Sequence, residues 1–469
     1  MGELSITFSK KVFNRVVEAL AWDGRERIVY VLCEASQGDD QTKLLPNEIM
    51  SPSEDDYESR SAVHLKVKKE FISKVGNCAV ETQRHILQAH VHPPGYGGRY
   101  SPVDRREEPI LMKHVAEKIE GIIHASMVFS SDFSELDSWY FDRKRGDVVP
   151  TSKIVVVGEN ALRLFIPTGV QEDAAPRVPK QLSRTVKAYG REAVTMLKNL
   201  TIGIVGVSGL GSPVADNLIR DGVVRIILCD PDTIEESNLN RLAGATQKDV
   251  GRFKVDFFKD YAAEISPEAE VIAIKDSFYS GKAQSVFAQA DIIFGAVDSG
   301  ARFSINSLAL ANLIAYIDTG ATVLHEGGKM AFLGGQAYSV IPGRHVCLSC
   351  AGVFNDLWQE YLPPDERDRE ARQGYLKGLP EGIPLVMSLD HVIAGLAYQQ
   401  MLSYIWGETA QEVFGVHYDG LKATITKSVC ETGGCLICQE DGALGMGDKV
   451  EPVVPRKDGS KEMRVLPAA

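Results

Sequence analysis

The chain has 469 residues and a formal net charge of −12 at pH 7, and 44% of its residues are hydrophobic. A chain of this length holds two or three domains, and this apolar content suits folded cores. The negative balance argues against nonspecific binding to nucleic acid or to an anionic membrane surface. The sequence contains neither an apolar run long enough to span a bilayer nor a secretory leader, so we expect a cytoplasmic protein.

The first candidate site lies in the N-terminal third, where His90-Val-His92-Pro is followed by Ser101 and Asp104. Alternate residues of a strand point the same way, so the two histidines can share one metal ion. Asp104 supplies a third ligand, and three protein ligands with a water form the usual catalytic zinc site. Ser101 is placed to polarise the water or to hold an oxyanion.

This pattern resembles the JAB/MPN metalloisopeptidase signature, His-x-His-Pro followed by Ser-x-x-Asp. Eight residues separate His92 from Ser101, one more than usual, and three glycines make the longer loop tolerable. The resemblance implies a second, catalytic zinc and a glutamate that acts as general base. Glu26, just before an apolar run, occupies the expected place. Domains of this type that have lost activity serve as docking modules, so that role stays open.

Composition divides the chain into four parts. Residues 1–168 form the first domain, a small α/β sandwich. Residues 169–182 are rich in proline, alanine and charge and indicate a linker. Residues 183–440 form the second domain. Residues 441–469 are polar and low in periodicity, and we expect a flexible tail.

The second candidate site begins where the apolar run from Ile202 to Val205 meets a glycine-rich turn, with glycines at 206, 209 and 211. A helical stretch and a second apolar run ending in Asp230 follow. The N–H groups of such a turn and the helix N-terminus favour a pyrophosphate. Gly206, Gly209 and Gly211 are therefore expected to line phosphates. Asp230, followed by Asp232, is placed at the ribose.

Residues beyond Asp230 distinguish the predicted site from a nicotinamide-binding site, which needs no further cations. Asn238, Arg241 and Lys254 suit a triphosphate, because cations offset its negative charge. Asp298 ends another apolar run, and its carboxylate is placed to hold Mg²⁺ beside the phosphates. A nicotinamide-binding domain remains the plainer alternative.

The stretch from about 183 to 440 resembles the ThiF/MoeB/ubiquitin-activating superfamily. Its members adenylate the C-terminal glycine of a ubiquitin-like protein with MgATP. The resemblance implies that Arg241, Lys254 and Asp298 act in catalysis. It also implies a homodimer in which Arg184 reaches the partner subunit's triphosphate. The expected fold class is α/β, with a JAB/MPN α/β domain before a Rossmann-like adenylation domain that has a mostly parallel sheet.

Two Cys-x-x-Cys pairs, Cys347 with Cys350 and Cys435 with Cys438, can bind one tetrahedral Zn²⁺. The same pairs hold a structural zinc in bacterial members of the superfamily. No cysteine lies between Cys350 and Cys430, although conjugating members carry their catalytic cysteine there. Either the reaction stops at the acyl-adenylate, or a displaced cysteine takes the acyl group. Cys430 is the candidate, and a purely structural Cys430 is the alternative.

Both halves point to the C-terminus of a ubiquitin-like protein. The layout resembles bacterial ubiquitin-like conjugation operons, some implicated in phage defence, and implies a ubiquitin-conjugating-type partner enzyme. Two alternatives stay open. One is a sulfur-carrier adenylyltransferase of a cofactor or metabolite pathway. The other is a non-enzymatic scaffold that binds a ubiquitin-like protein.

Overall fold

The computed structural model describes residues 3–168, 179–297, 300–353, 386–407, 413–429, 435, 437–439 and 442–450. Two large sheets organise these residues, one on each side of the segment 169–182. Among the described helices, none combines the length and hydropathy that a bilayer crossing requires.

The first sheet has nine strands in the order β11-β10-β1-β3-β2-β6-β7-β8-β9. They are β1 (Glu3–Ser9), β2 (Arg27–Gln37), β3 (Gln41–Met50), β6 (His85–Val91), β7 (His124–Phe129), β8 (Leu136–Asp142), β9 (Asp147–Pro150), β10 (Lys153–Val157) and β11 (Arg163–Phe165), with β4 (Tyr57–Arg60) and β5 (Leu65–Val67) paired separately. Three helices accompany this sheet: α1 (Lys10–Ala19), α2 (Lys69–Thr82) and α3 (Pro102–Lys118). Strand β6, next to the central strand β2, is buried along its whole length, as expected for a strand covered on both faces.

The second sheet has eight strands in the order β14-β13-β12-β15-β16-β17-β18-β19. They are β12 (Thr201–Val205), β13 (Arg225–Cys229), β14 (Glu270–Ile274), β15 (Ile292–Gly295), β16 (Ala315–Glu326), β17 (Lys329–Val340), β18 (Gly415–Asp419) and β19 (Thr424–Ser428). The first five in spatial order are parallel, and the last three are antiparallel to their neighbours. The sheet expected to be mostly parallel is thus parallel from β14 to β16 and antiparallel from β16 to β19.

Helices cover both faces of the second sheet, as in a doubly wound fold. They are α4 (Ser183–Tyr189), α5 (Arg191–Asn199), α6 (Gly211–Arg220), α7 (Lys254–Ile265), α8 (Gly281–Phe287), α9 (Ala301–Ala311) and α10 (Met387–Trp406). One core packs α5, α6, α7 and α10 on one face, and a second core packs α8 and α9 on the other. The parallel strands carry near-continuous apolar runs because both of their faces are buried.

Buried polar contacts join the two sheets. Lys153 of β10 pairs with Asp291, which also accepts a hydrogen bond from the backbone N–H of Thr201 at 2.7 Å. Lys43 of β3 donates to the carbonyl oxygen of Ala290 at 2.6 Å. Burial lowers the pKa of Lys43 to about 7 although Asp291 opposes that shift. The Lys153 and Asp291 side chains are 8% and 1% exposed, so the charges compensate each other away from water.

Residues 442–450 belong to the stretch expected to be a tail, and they contact both the first sheet and α9 of the second unit. The Asp448 carboxylate accepts the backbone N–H of Gln37 at 2.7 Å, and Lys449 pairs with the buried Glu34 at 2.9 Å. Ala443, Leu444 and Val450 are buried. The hydrophobic pattern of this stretch has low periodicity. The sequence alone therefore does not indicate that these three apolar residues pack against other elements. Residues 451–469 and 169–178 lie outside the described part of the chain.

Replacing Asp291 by alanine should destabilise the protein by about 3–5 kcal/mol, because it leaves the Lys153 ammonium buried without a counter-charge. The measurement is the apparent melting temperature of the full chain. Glu268→Ala is the matched control, since it removes the exposed partner of Lys198 and exposed pairs contribute little. Equal melting temperatures for the two variants would contradict a structural role for the interface pair.

Candidate functional site

The glycine-rich turn after β12 is shaped by contacts that no side chain allows. Gly206 has a φ of +86°, and a Cβ there would lie 2.3 Å from the carbonyl oxygen of Ala296. At Gly211 a Cβ would lie 1.9 Å from the carbonyl oxygen of Gly206, and at Gly209 2.3 Å from Oδ2 of Asp390. The chain therefore turns directly from β12 into α6, and the carboxylate of Asp390 packs against this turn at Gly209.

Asp230 follows β13 and braces this turn. Its Oδ2 accepts the backbone N–H of Val207 at 2.8 Å, and its Oδ1 accepts that of Asp232 at 2.9 Å. Lys254, the first residue of α7, places Nζ 2.8 Å from Oδ2 of Asp232 and 3.5 Å from Oδ1 of Asp230. The expected ribose acid and phosphate lysine thus lie side by side and hold each other in position.

Asn238 and Arg241 lie on the turn between Asp232 and α7. The Asn238 Oδ1 accepts the backbone N–H of Glu235 at 3.2 Å and so caps a short 3₁₀ turn. Arg241 Nη1 donates to the carbonyl oxygen of Ser237 at 3.2 Å. These local hydrogen bonds fix the turn and direct the guanidinium along the rim of the site.

These residues surround a cavity of about 380 Å³, within the range of small-molecule sites. It lies at the carboxyl ends of β12, β13 and β15, where open α/β sheets bind their ligands. Its lining includes Gly206, Ser208, Asp230, Asp232, Glu235, Asn238, Arg241, Lys254, Phe278, Tyr279, Ala296, Val297 and Ala301. Five of the expected nucleotide residues besides Gly206 therefore share one cavity.

Five expected residues are not placed at this cavity. Gly209 and Gly211 shape the turn but are absent from the cavity lining. Asp298 lies outside the described residues, although Ala296 and Val297 before it line the cavity. Arg184 is exposed on α4 and is absent from the lining of this chain's own cavity. Cys430 and the crossover segment 356–383 also lie outside the described part. Their roles stay predictions.

Phe278 and Tyr279 are lining residues that the sequence did not reveal. They follow β14, the strand beside β13, so their place is the carboxyl edge of the same sheet. Phe278 is buried, whereas Tyr279 is 39% exposed at the mouth. Aromatic side chains next to the ribose acid give the cavity an apolar wall suited to a base. The available signal was a pair of aromatic residues four and five positions after the end of a strand.

The two Cys-x-x-Cys pairs come together as expected. The Sγ atoms of Cys347 and Cys350 are 3.7 Å apart. The Sγ atom of Cys347 lies 3.8 Å from that of Cys435, and the Sγ atom of Cys350 lies 3.8 Å from that of Cys438. A zinc ion about 2.3 Å from four sulfurs requires S–S separations of about 3.8 Å. Hydrogen bonding from Cys438 lowers the pKa of Cys347 to about 5, which favours a thiolate. The four sulfurs fit tetrahedral Zn²⁺.

A second cluster lies at the end of β6, where His90, His92 and Asp104 place ligand atoms within 4.8 Å of one another. Asp104 Oδ2 lies 3.2 Å from Nε2 of His92, and its Oδ1 lies 3.6 Å from Nε2 of His90. Nδ1 of His92 faces the carbonyl oxygen of Gly97 at 3.2 Å. A proton on that Nδ1 leaves the Nε2 lone pair free to bind a metal. Two imidazoles and a carboxylate are a donor set that suits zinc.

Glu26 and Ser101 flank this cluster in different ways. Burial raises the pKa of Glu26, and the charges of His90 and His92 oppose that rise. The Ser101 hydroxyl instead caps α3, accepting the backbone N–H of Asp104 at 3.2 Å, while Asp104 Oδ2 accepts the Ser101 N–H at 2.7 Å. Ser101 therefore orients the Asp104 carboxylate.

Comparisons with known proteins identify the family. The model of the ThiF family matches residues 181–433, more than half of the chain. The chain therefore belongs to the ThiF family.

Several curated relatives share parts of this region. A tRNA threonylcarbamoyladenosine dehydratase of Bacillus subtilis (strain 168) is 44% identical over 107 residues, covering 23% of this chain and 42% of the relative. The adenylyltransferase and sulfurtransferase uba4 of Aspergillus clavatus is 30% identical over 178 residues, covering 35% and 36%. The ubiquitin-like modifier-activating enzyme 5 of Dictyostelium discoideum is 26% identical over 229 residues, covering 45% and 53%. The chain thus spans about half or less of the length of these relatives.

Among solved structures, E. coli MccB with ATP is similar to this chain at 19% sequence identity and a TM-score of 0.45. The likeness covers 56% of this chain and 75% of MccB.

Replacing Cys435 by serine should remove one equivalent of zinc from the purified full chain, because three thiolates and a hydroxyl bind zinc far more weakly than four thiolates. Elemental analysis by mass spectrometry measures the zinc content. Cys78→Ser, a half-buried cysteine outside the cluster, is the control and should leave it unchanged. Unaltered zinc in Cys435→Ser would contradict the four-cysteine site.

Proposed function

We propose that the chain uses MgATP to adenylate the C-terminal glycine carboxylate of a ubiquitin-like protein. The observation that carries the proposal is the single cavity that combines the glycine turn, Asp230, Arg241 and Lys254. Uba4 and the modifier-activating enzyme, relatives of this region, are named for adenylyl transfer or modifier activation. We further propose that the reaction serves a bacterial conjugation pathway that acts in antiviral defence. Its partner is a ubiquitin-conjugating-type enzyme.

In the proposed reaction a glycine carboxylate oxygen attacks the α-phosphorus of ATP. The bond between that phosphorus and the bridging oxygen breaks, and pyrophosphate leaves with the electron pair. The glycine turn and the α6 N-terminus bind phosphate oxygens, and Asp230 binds the ribose. Arg241 and Lys254 offset the charge that develops on the phosphates. Mg²⁺, when bound at Asp298, would neutralise further phosphate charge.

We also propose that the protein works as a homodimer in which Arg184 serves the triphosphate of the partner subunit. The exposure of Arg184 on α4, away from the cavity of its own chain, supports that assignment. The first unit is proposed to be a JAB/MPN-type zinc isopeptidase that trims or removes the same modifier. The convergence of His90, His92 and Asp104 supports it.

In the proposed isopeptidase site, Glu26 accepts a proton from the attacking water and later donates it to the leaving amine. Asp104, oriented by Ser101, and the two histidines would hold the metal. Zinc, when bound, would supply Lewis-acid activation of the scissile carbonyl.

Sulfur-carrier activation is the second candidate function. The absence of cysteine between Cys350 and Cys430 in the sequence favours it, as does the name of the uba4 relatives, which pairs adenylyl transfer with sulfur transfer. The adenylation step is shared, and the acyl acceptor differs. A reducible thioester between the modifier and a cysteine supports conjugation, whereas a thiocarboxylate at the modifier's terminus supports sulfur transfer.

Arg241→Ala should lower ATP–pyrophosphate exchange by about 10²- to 10³-fold, because it removes a cation from the developing phosphate charge. Exchange is measured with a ubiquitin-like protein that ends in Gly-Gly, and with the same protein lacking its last glycine as a blank. Arg220→Ala is the control, because Arg220 lies on α6 and pairs with Asp216 instead of lining the cavity.

Exchange that persists in Arg241→Ala, or that needs no terminal glycine, would contradict the adenylation proposal. Nucleotide binding without exchange in the unaltered chain would favour the scaffold alternative.

Glu26→Gln should keep the zinc of the first unit and lower cleavage of a C-terminally extended ubiquitin-like precursor by about 10²- to 10⁴-fold, because the variant lacks the proton acceptor. Metal content and product mass are measured on the same sample. His92→Ala should lose both zinc and cleavage, and Glu58→Gln, an exposed glutamate, should lose neither. Cleavage at the unaltered rate by Glu26→Gln would rule out its role as the base.

A further inference from the structure

Glu108 is a buried carboxylate next to the histidine cluster that the isopeptidase signature, which ends at Asp104, does not include. It lies on α3 one helical turn after Asp104, so both side chains project from the same face of the helix. Only 9% of Glu108 is exposed. A carboxylate removed from water is costly unless partners compensate it, so its surroundings should show what it does.

Two contacts define those surroundings. Gln88 of β6 donates from Nε2 to Glu108 Oε2 at 2.6 Å, which fixes the plane of the carboxylate. The other oxygen, Oε1, lies 3.6 Å from Nδ1 of His90. Glu108 therefore lies at the Nδ1 side of the His90 ring, whereas Asp104 lies at the Nε2 side.

The two histidines of the cluster are arranged alike. Each directs Nε2 to Asp104, and each has an oxygen next to Nδ1: the Gly97 carbonyl for His92 and the Glu108 carboxylate for His90. An oxygen acceptor at Nδ1 selects the tautomer that carries its proton there and leaves the Nε2 lone pair for a metal. The oxygen next to Nδ1 comes from the backbone for His92 and from the Glu108 side chain for His90.

We propose that Glu108 is a positioning residue of the metal site: it accepts the Nδ1 proton of His90 and holds the ring with Nε2 directed at the metal. Gln88 in turn holds Glu108. The inference rests on the proposed metal site of the first unit and adds to it a residue that binds neither metal nor substrate. Glu108 acts through His90. Its replacement is therefore expected to weaken metal binding and to alter the geometry of the His90 ligand without changing the fold.

Glu108→Gln in the full chain tests this inference, with Glu107→Gln as the matched control. Glu107 is the adjacent residue of α3, but its side chain is 61% exposed and contacts Arg106. Zinc affinity is measured by competition with a chromophoric chelator, after the four-cysteine site has been filled. Glu108→Gln is expected to weaken zinc binding by about 10- to 100-fold, and Glu107→Gln to leave it unchanged.

A spectroscopic readout separates positioning from a loss of structure. In zinc-loaded protein with ¹⁵N-labelled histidine, His90 is expected to show a protonated Nδ1 and a metal-bound Nε2, and Glu108→Gln should shift those signals while melting temperature stays constant. Equal zinc affinity of Glu108→Gln and the unaltered chain, or a protonated Nε2 on His90, overturns the inference. An unaltered chain that binds no zinc beyond the four-cysteine site overturns the proposed metal site itself.

Discussion

The arrangement of the molecule depends on Asp291, a carboxylate buried where the two sheets meet. It binds Lys153 of the first sheet and the backbone N–H of Thr201, where β12 begins. A buried ion pair is tolerated only when its geometry and its remaining hydrogen bonds are satisfied. The amino ends of β12 and β15 are therefore held against the first sheet, and their carboxyl ends, which line the nucleotide cavity, are directed away from it.

The histidine cluster lies far from the same junction. His90 pairs with Ile28 of β2, whereas Ser36, eight residues along that strand, contacts Gln289 of the second unit. At about 3.3 Å per residue this separation is roughly 26 Å. Within the second sheet, the five residues of β12 span about 16 Å between the junction and the glycine turn. The two candidate sites therefore lie at the ends of β2 and β12 that are farther from the junction.

Local patterns in the sequence were enough to predict the parts of the sites that depend on neighbours in the chain. The glycines at 206 and 211 meet each other across one turn, and His90 and His92 share a strand face. In both cases the spacing of the residues along the chain is enough to predict that they lie together. Glu108 and Phe278 were missed because their roles depend on which element packs beside them. The packing of segment 442–450 is not predictable from the sequence for the same reason. Asp448 and Lys449 contact Gln37 and Glu34, which lie more than 400 residues earlier in the chain.

The central claim is that the cavity activates a C-terminal carboxylate by adenylation, and intact-mass analysis tests it most directly. The full chain is mixed with MgATP and a ubiquitin-like protein that ends in Gly-Gly, and the modifier's mass is followed under non-reducing conditions. The account predicts that the terminal glycine gains one AMP as pyrophosphate is released. The acyl-adenylate then either accumulates or passes its acyl group to a cysteine, which forms a reducible adduct. Formation of ADP and phosphate, or AMP attached to an internal residue, would contradict it.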